Sequence, residues 1–253
     1  MNDRKRISDG TSYRTMEFPA FKNILDKNNQ SNSGGPNLFV KTGFEYFIDP
    51  TQSLAISTTL SNGDRNSENK TYTSDTGPGE KKYWRYTNGG GDRNGYDINL
   101  NYDKKFKNPK QKLTSYARFS DGLNDGVNEY YNTDDGGLNY VDIDRAKNGQ
   151  DGTSKSYNFK LDYVHPFDDN SKLEVGLSSK STDRGDNQIA ELYDEATGEF
   201  TADRAFSNEF IYNETVHAAY IQYGGSLWFI GYNAGGRYET VNMMSELKTT
   251  NES

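Results

Sequence analysis

Short turns alternate with long polar connections along this chain, and that alternation constrains its fold more than any single motif. Residues 38–48 carry Leu38, Val40, Thr42, Phe44, Tyr46 and Ile48 on one parity and Lys41, Gly43 and Glu45 on the other. Period two of this kind is the mark of a strand with one apolar and one polar face. Asp49-Pro50-Thr51 turns the chain, and Leu54, Ile56, Thr58 and Leu60 continue the apolar face. The next connection, residues 61–93, is long, polar and rich in Gly, Asn and Asp. The same pair recurs twice more. Asn108-Pro109 and His165-Pro166 mark short turns, and residues 120–153 and 181–212 are long polar stretches. Compact soluble domains seldom use connections of that length.

A membrane β-barrel accounts for the rhythm, because its turns are short on one side of the bilayer and its loops long on the other. The clearest strand places Tyr96, Ile98, Leu100 and Tyr102 against Asp97, Asn99, Asn101 and Asp103. A face that polar suits a wet lumen and not a sandwich core. Tyr157, Phe159, Leu161 and Tyr163 repeat the pattern; Leu173, Val175 and Leu177 follow it. Gly224-Gly225 is expected to turn before a last strand carrying Trp228, Ile230, Tyr232, Ala234, Gly236 and Tyr238. About eight strands in four hairpins result. Aromatics near strand ends (Tyr46, Phe47, Tyr102, Phe106, Tyr163, Phe167, Tyr220 and Tyr223) are expected to form interfacial girdles.

Composition narrows the function classes. A mean hydropathy of −1.01 with 26% charged residues would suit a disordered chain, but 13% aromatic residues argue for a folded one. The net charge of −8 disfavours nucleic acid as a partner. There is no cysteine, which excludes disulfides and thiolate metal sites. No run of about twenty apolar residues is present, so no transmembrane helix is expected, and barrel strands need only about ten alternating residues. The basic start, residues 1–6, lacks the apolar run of a signal peptide, so export is expected to rely on a signal lying outside this sequence or already removed.

The expected organisation is a polar N-terminal segment or extracellular loop (1–37), an antiparallel up-and-down barrel segment with long extracellular loops (38–240) and a polar C-terminal tail (241–253). With short turns in the periplasm, both ends fall outside the cell. An internal piece of a larger barrel is the expectation that follows. The alternative from another class is a secreted or cell-surface β-sandwich that binds glycan or calcium.

The segments KTGFEYFIDPTQSLAIS (41–57), SNGDRN (61–66), YNFKLDYVHPFDDNSKLEVGLSSKSTDRGDN (157–187) and NETVHAAYIQYGG (213–225) resemble the barrel half of TonB-dependent outer-membrane receptors, in the subgroup named the outer-membrane β-barrel family. The likeness runs over about 38–240. It implies a large barrel with an N-terminal plug, located in the outer membrane, that imports a siderophore, glycan, peptide or cobalamin with energy from the inner membrane. This sequence shows neither plug nor energy-coupling box. The inner-membrane complex is therefore expected as a partner only through a plug outside it, with outer-membrane lipid as the direct partner.

Catalysis is not expected. Asp134, Asp135, Asp142, Asp144, Glu191, Asp194 and Glu195 lie in expected loops, where paired carboxylates lack a rigid separation. Asp121, Asn124, Asp125, Asn128 and Glu129 offer oxygen ligands but not the spacing of the twelve-residue calcium loop. His165 and His217 have no acidic cluster beside them. No cofactor motif occurs: Gly89-Gly90-Gly91 precedes no helix pattern, and Arg184-Gly185-Asp186 is explained by chance and turn chemistry. The candidate ligand-binding residues are the loop aromatics Tyr83, Trp84, Tyr86, Tyr130 and Tyr131, whose rings are suited to stacking on a sugar or small ligand.

Overall fold

The computed structural model describes residues 2–17, 22–77, 79–134 and 145–249. Among them is one antiparallel sheet of ten strands and no helix: β1 (Asn2–Glu17), β2 (Lys22–Asp49), β3 (Gln52–Asp75), β4 (Lys81–Lys105), β5 (Lys112–Thr133), β6 (Ala146–Pro166), β7 (Ser171–Asp194), β8 (Glu199–Ala202), β9 (Asn208–Leu227) and β10 (Ile230–Thr249). The strands lie in chain order as a meander, and short β8 pairs only with β7.

The expected all-β meander is what the chain forms, with ten strands. The polar stretches expected as long loops are largely strand. β3 runs on to Asp75 and β4 starts at Lys81, so their connection is five residues long. Residues 22–37 belong to β2 and pair with β1, and 241–249 belong to β10, so the expected N-terminal loop and C-terminal tail are sheet. The reason is that backbone pairing continues where lipid ends. A strand above the bilayer is wet on both faces and needs no apolar parity. β2 has 28 residues and β9 has 20, against the roughly nine to eleven a bilayer requires. The last turn also moves. Gly224 and Gly225 pair inside the sheet with Asn233 and Tyr232, and the turn is Trp228-Phe229, with Trp228 at φ 57°.

Three of the four short turns share one device. Asp49, Asn108 and Asp168 each accept the backbone N–H two residues on, from Thr51 (2.7 Å), Lys110 (3.0 Å) and Asn170 (2.7 Å). The Thr51 hydroxyl, then its N–H, holds the Asp49 carboxyl below its ordinary value; the Asn170 N–H and the Ser171 hydroxyl do the same for Asp168. A depressed folded value means that this stabilisation is present above the ordinary carboxylate pKa of about 3.9 and is lost as the pH falls through the folded value. Thr51→Ala is expected to raise the Asp49 value, as read by an NMR titration of that carboxyl in micelles. An unchanged titration would contradict the assignment.

The sheet is a single layer. Among the described residues no large side chain is fully buried, and the buried apolar residues are Ala146, Ala190 and Ala218. Apolar residues instead form an exposed band on one face. Its rows include Phe44–Ile56–Leu100–Ala117–Phe159 and Tyr46–Leu54–Tyr102–Ser115–Leu161–Leu177, across neighbouring strands in register. Ile56 is 45% exposed and Leu177 54%. In water so broad an apolar face would be a liability; in a bilayer it is the lipid surface. With no second sheet over this face among the described residues, the β-sandwich alternative is overturned.

The opposite face is the more crowded one. On β4 the apolar Tyr96, Ile98 and Leu100 are exposed, whereas Asp97 and Asn99 between them are half-buried. Gly91 fits this crowding: a Cβ there would lie 2.2 Å from the Asp125 carbonyl oxygen on β5.

Candidate functional site

The polar face carries a hydrogen-bonded lattice through the height of the apolar band. Asp97 on β4 accepts from Arg118 on β5 at 2.7 Å, and Tyr116 donates to Asn99 at 3.1 Å. Lys112 meets Asp103 at 3.0 Å, and the Ser120 and Ser156 hydroxyls are 2.7 Å apart. Asp162, Gly176 and Tyr220 form one row across β6, β7 and β9, and the Tyr220 hydroxyl crosses over Gly176 to donate to Asp162 at 2.6 Å. A Cβ on Gly176 would sit 2.1 Å from the Tyr220 ring, so glycine alone leaves room for this crossing. Tyr220 and Phe47 thus belong to the polar face by register and correct the girdle assignment, whereas Tyr46, Tyr102, Tyr163 and Tyr223 do lie on the apolar face.

Above the band, the five candidate aromatics lie in strands and not in loops, and they divide between the faces. Trp84, Tyr86 and Tyr131 follow the apolar-face parity. Tyr86 stacks on Tyr131 at 5.1 Å, Tyr72 meets Trp84 at 4.9 Å, and the Lys70 ammonium sits 4.2 Å from the Trp84 ring and 5.1 Å from Tyr86. These rings serve to join β3, β4 and β5 outside the bilayer. Tyr83 and Tyr130 are on the polar face. The Arg85 guanidinium lies 4.9 Å from the Tyr130 ring and donates to Asn132 at 2.9 Å. Tyr83, Arg85, Thr71 and Lys27 line an open groove of about 530 Å³ on that face.

The oxygen-rich stretch of β5 does not converge. Asp121, Asp125 and Glu129 lie on one face, and Asn124 and Asn128 on the other. Asp125 accepts the Asp92 backbone N–H at 2.9 Å, and Asp92 is in register with Asp64. The Asp64 carboxylate, with help from Asp125, pushes the Asp92 carboxyl above its ordinary value. Among the described residues no group of three His, Cys, Asp or Glu side chains is placed to hold a metal. Glu191 is 3.4 Å from Lys147, and Asp194 accepts the Ala196 N–H at 2.9 Å. Asp135, Asp142 and Asp144 lie outside the described residues. His165 contacts Tyr163 and Phe167 beside a short turn, and His217 lies on β9. Arg184-Gly185-Asp186 is interior to β7 and not a turn.

A single-layer antiparallel sheet with one exposed apolar face and one bonded polar face is the wall of a transmembrane β-barrel. Residues 104–253, more than half of the chain, match the model of the outer membrane protein beta-barrel family, and the chain belongs to that family. It is therefore an outer-membrane protein.

Solved structures similar to it include the transport unit of the autotransporter AIDA-I from Escherichia coli, at 10% identity over 97% of this chain and 89% of that one, with a TM-score of 0.23. Acinetobacter baumannii OccAB4 follows at 8% identity, 97% and 99% coverage and a TM-score of 0.16. Pseudomonas aeruginosa OccK1 (OpdK) has 5% identity, 96% and 97% coverage and a TM-score of 0.12. Scores this low say nothing about closure or cargo. No curated protein matches the sequence.

Proposed function

We propose that this chain forms part of the wall of a TonB-dependent receptor that takes up a nutrient ligand, a siderophore, glycan, peptide or cobalamin, and that it catalyses no reaction. The observation that carries the reading is the continuity of the polar face. It runs from the Trp228-Phe229 turn through the apolar band and on along strands far longer than a bilayer needs. A wall built this way lines a path for polar solutes well above the membrane surface. The resemblance of residues 41–57, 157–187 and 213–225 to such receptors supports the same reading.

Lipid pairs poorly with open strand edges, since each unsatisfied backbone group in hydrocarbon costs several kcal/mol. β1 pairs with β2 only as far down as Asn37, so the edge of β2 from Leu38 to Asp49 meets no strand among the described residues, and neither does the far edge of β10. In the membrane both edges are paired. In the proposed receptor, strands of the same barrel pair them, and the plug of that barrel engages the inner-membrane energy complex.

The test is accumulation of a radiolabelled panel of these ligand classes by cells that make the protein, with and without a protonophore. Accumulation of one ligand that stops when the proton gradient is collapsed is the expected result. Accumulation that continues unchanged would make the barrel a passive channel and overturn the coupling.

A further inference from the structure

The chain has a net charge of −8, yet its arginines are sorted to one side of the sheet. All eight strand arginines whose side chains are described fall on the polar face by register. Starting from the loop end, the shared register takes them in the order Arg14, Arg85, Arg6 and Arg65. It continues through Arg93, Arg184, Arg118 and Arg237 toward the short turns. Successive members are two to four residues apart in height, spread over β1, β3, β4, β5, β7 and β10, so the series spans the height of the wall. Lysines show no such sorting: Lys70 and Lys155 lie on the apolar-face parity, Lys160 and Lys180 on the polar one. General solubility therefore does not explain the arrangement.

Arg118 is paired with Asp97 and Arg237 with Glu239, each at 2.7 Å or less. Arg65 and Arg93 are exposed and make no ion pair among the described residues. Arg6, Arg14 and Arg184 are also exposed and without an ion pair among the described residues, but Arg65 and Arg93 are the unpaired two that lie beside each other on paired strands. Each faces a glycine across the β3–β4 pair, Arg65 opposite Gly91 and Arg93 opposite Gly63; the Asn37 side chain lies over Gly63, and Asn124 flanks Arg93 on the β5 side. The two are diagonal neighbours, about 7 Å apart at the backbone for such a pair. Their sequence neighbours Asp64 and Asp92 point to the other face. Two neighbouring unpaired guanidinium forks match an oxyanion, which takes paired N–H donors from each.

We propose that the polar face binds oxyanions, carboxylate- or phosphate-bearing solutes, with Arg65 and Arg93 as the principal site and the remaining arginines as steps of the path. This rests on reading that face as the lumen, and it narrows the uptake reading to anionic ligands.

The full chain, folded in detergent micelles with its β-sheet circular dichroism verified, is titrated calorimetrically at low salt with citrate, inorganic phosphate and spermidine. Saturable binding of citrate or phosphate, and none of spermidine, is expected, and the anion that binds tells which oxyanion is preferred. R65Q/R93Q is expected to weaken it by about tenfold or more, the loss of charge-assisted bonds, with the dichroism unchanged. Lys155→Gln, on the other face, is expected to leave it unchanged. If the double variant does not fold, R93Q alone is read in the same way. No saturable anion binding, equal binding of spermidine, unaltered affinity in the folded arginine variant, or an equal loss in Lys155→Gln would each overturn the proposal. No anion affinity in the native chain while protonophore-sensitive uptake persists would reject this inference and leave the uptake reading standing.

Discussion

Leu100→Arg is expected to prevent assembly into the outer membrane, whereas Asn99→Arg on the same strand is expected to be tolerated. That pair of outcomes follows from alternation on β4. Leu100 lies in the apolar row between Ile56 and Ala117, 40% exposed, where an arginine would enter hydrocarbon. Near the bilayer midplane the cost is about 2–4 kcal/mol, a large share of a typical domain stability of about 5–15 kcal/mol. Asn99 lies on the polar face, in register with Arg118 and in contact with Tyr116. An arginine there stays in water; it gives up the Tyr116 bond and faces Arg118, whose charge Asp97 already balances at 2.7 Å. Urea-resistant folding into lipid vesicles, followed by tryptophan fluorescence, measures both variants. Equal damage from the two substitutions would mean that the faces of β4 are not chemically distinct.

Gly176→Val is the second large effect. The added side chain would begin 2.1 Å from the Tyr220 ring and 2.6 Å from the Asp162 carboxylate, so the ring must leave its place and its bond to Asp162 breaks. Overpacking of this kind costs about 1–3 kcal/mol, and a lost hydrogen bond to a charged group about as much again. Tyr220→Phe, which keeps the ring and loses only the hydroxyl, is expected to cost less. Tyr220→Ala in the Gly176→Val background removes the clash, so the double variant should fall well short of the sum of the single losses. Strict additivity in urea unfolding would show that the ring does not lie over Gly176.

The sequence revealed the fold wherever lipid imposes parity and hid it elsewhere. Residues 96–102 show the strand plainly because Ile98 and Leu100 meet hydrocarbon and Asp97 and Asn99 meet water. Residues 61–75 and 81–93 are strand as well, but both faces are wet, and pairs such as Glu68 opposite Asn88 carry no apolar contrast. Gly224-Gly225 looks like a turn, yet both lie within the sheet, and Gly225 makes room for the Tyr232 ring across the β9–β10 pair. The aromatics in 83–131 are visible as a group; their division between two faces is not, because it depends on counting alternation through a stretch with no apolar marker. The same count exposes the arginines. Continuing the parity of Asp97 and Asn99 back along the chain puts Arg93 and Arg85 on the polar face by alternation alone.

The most direct test of a two-faced wall is a cysteine scan, made clean by the absence of native cysteine. Single cysteines at Ser57, Asn99 and Asn158 on the polar face, and at Ile56, Leu100 and Phe159 on the apolar face, carry a nitroxide label in the vesicle-inserted protein. Accessibility to oxygen, which concentrates in lipid, and to a water-soluble nickel chelate is then compared. Strict alternation is expected, with oxygen favoured at the second set and the chelate at the first. Chelate access at both sets, or no alternation with residue parity, would contradict a wall with lipid on one face and water on the other.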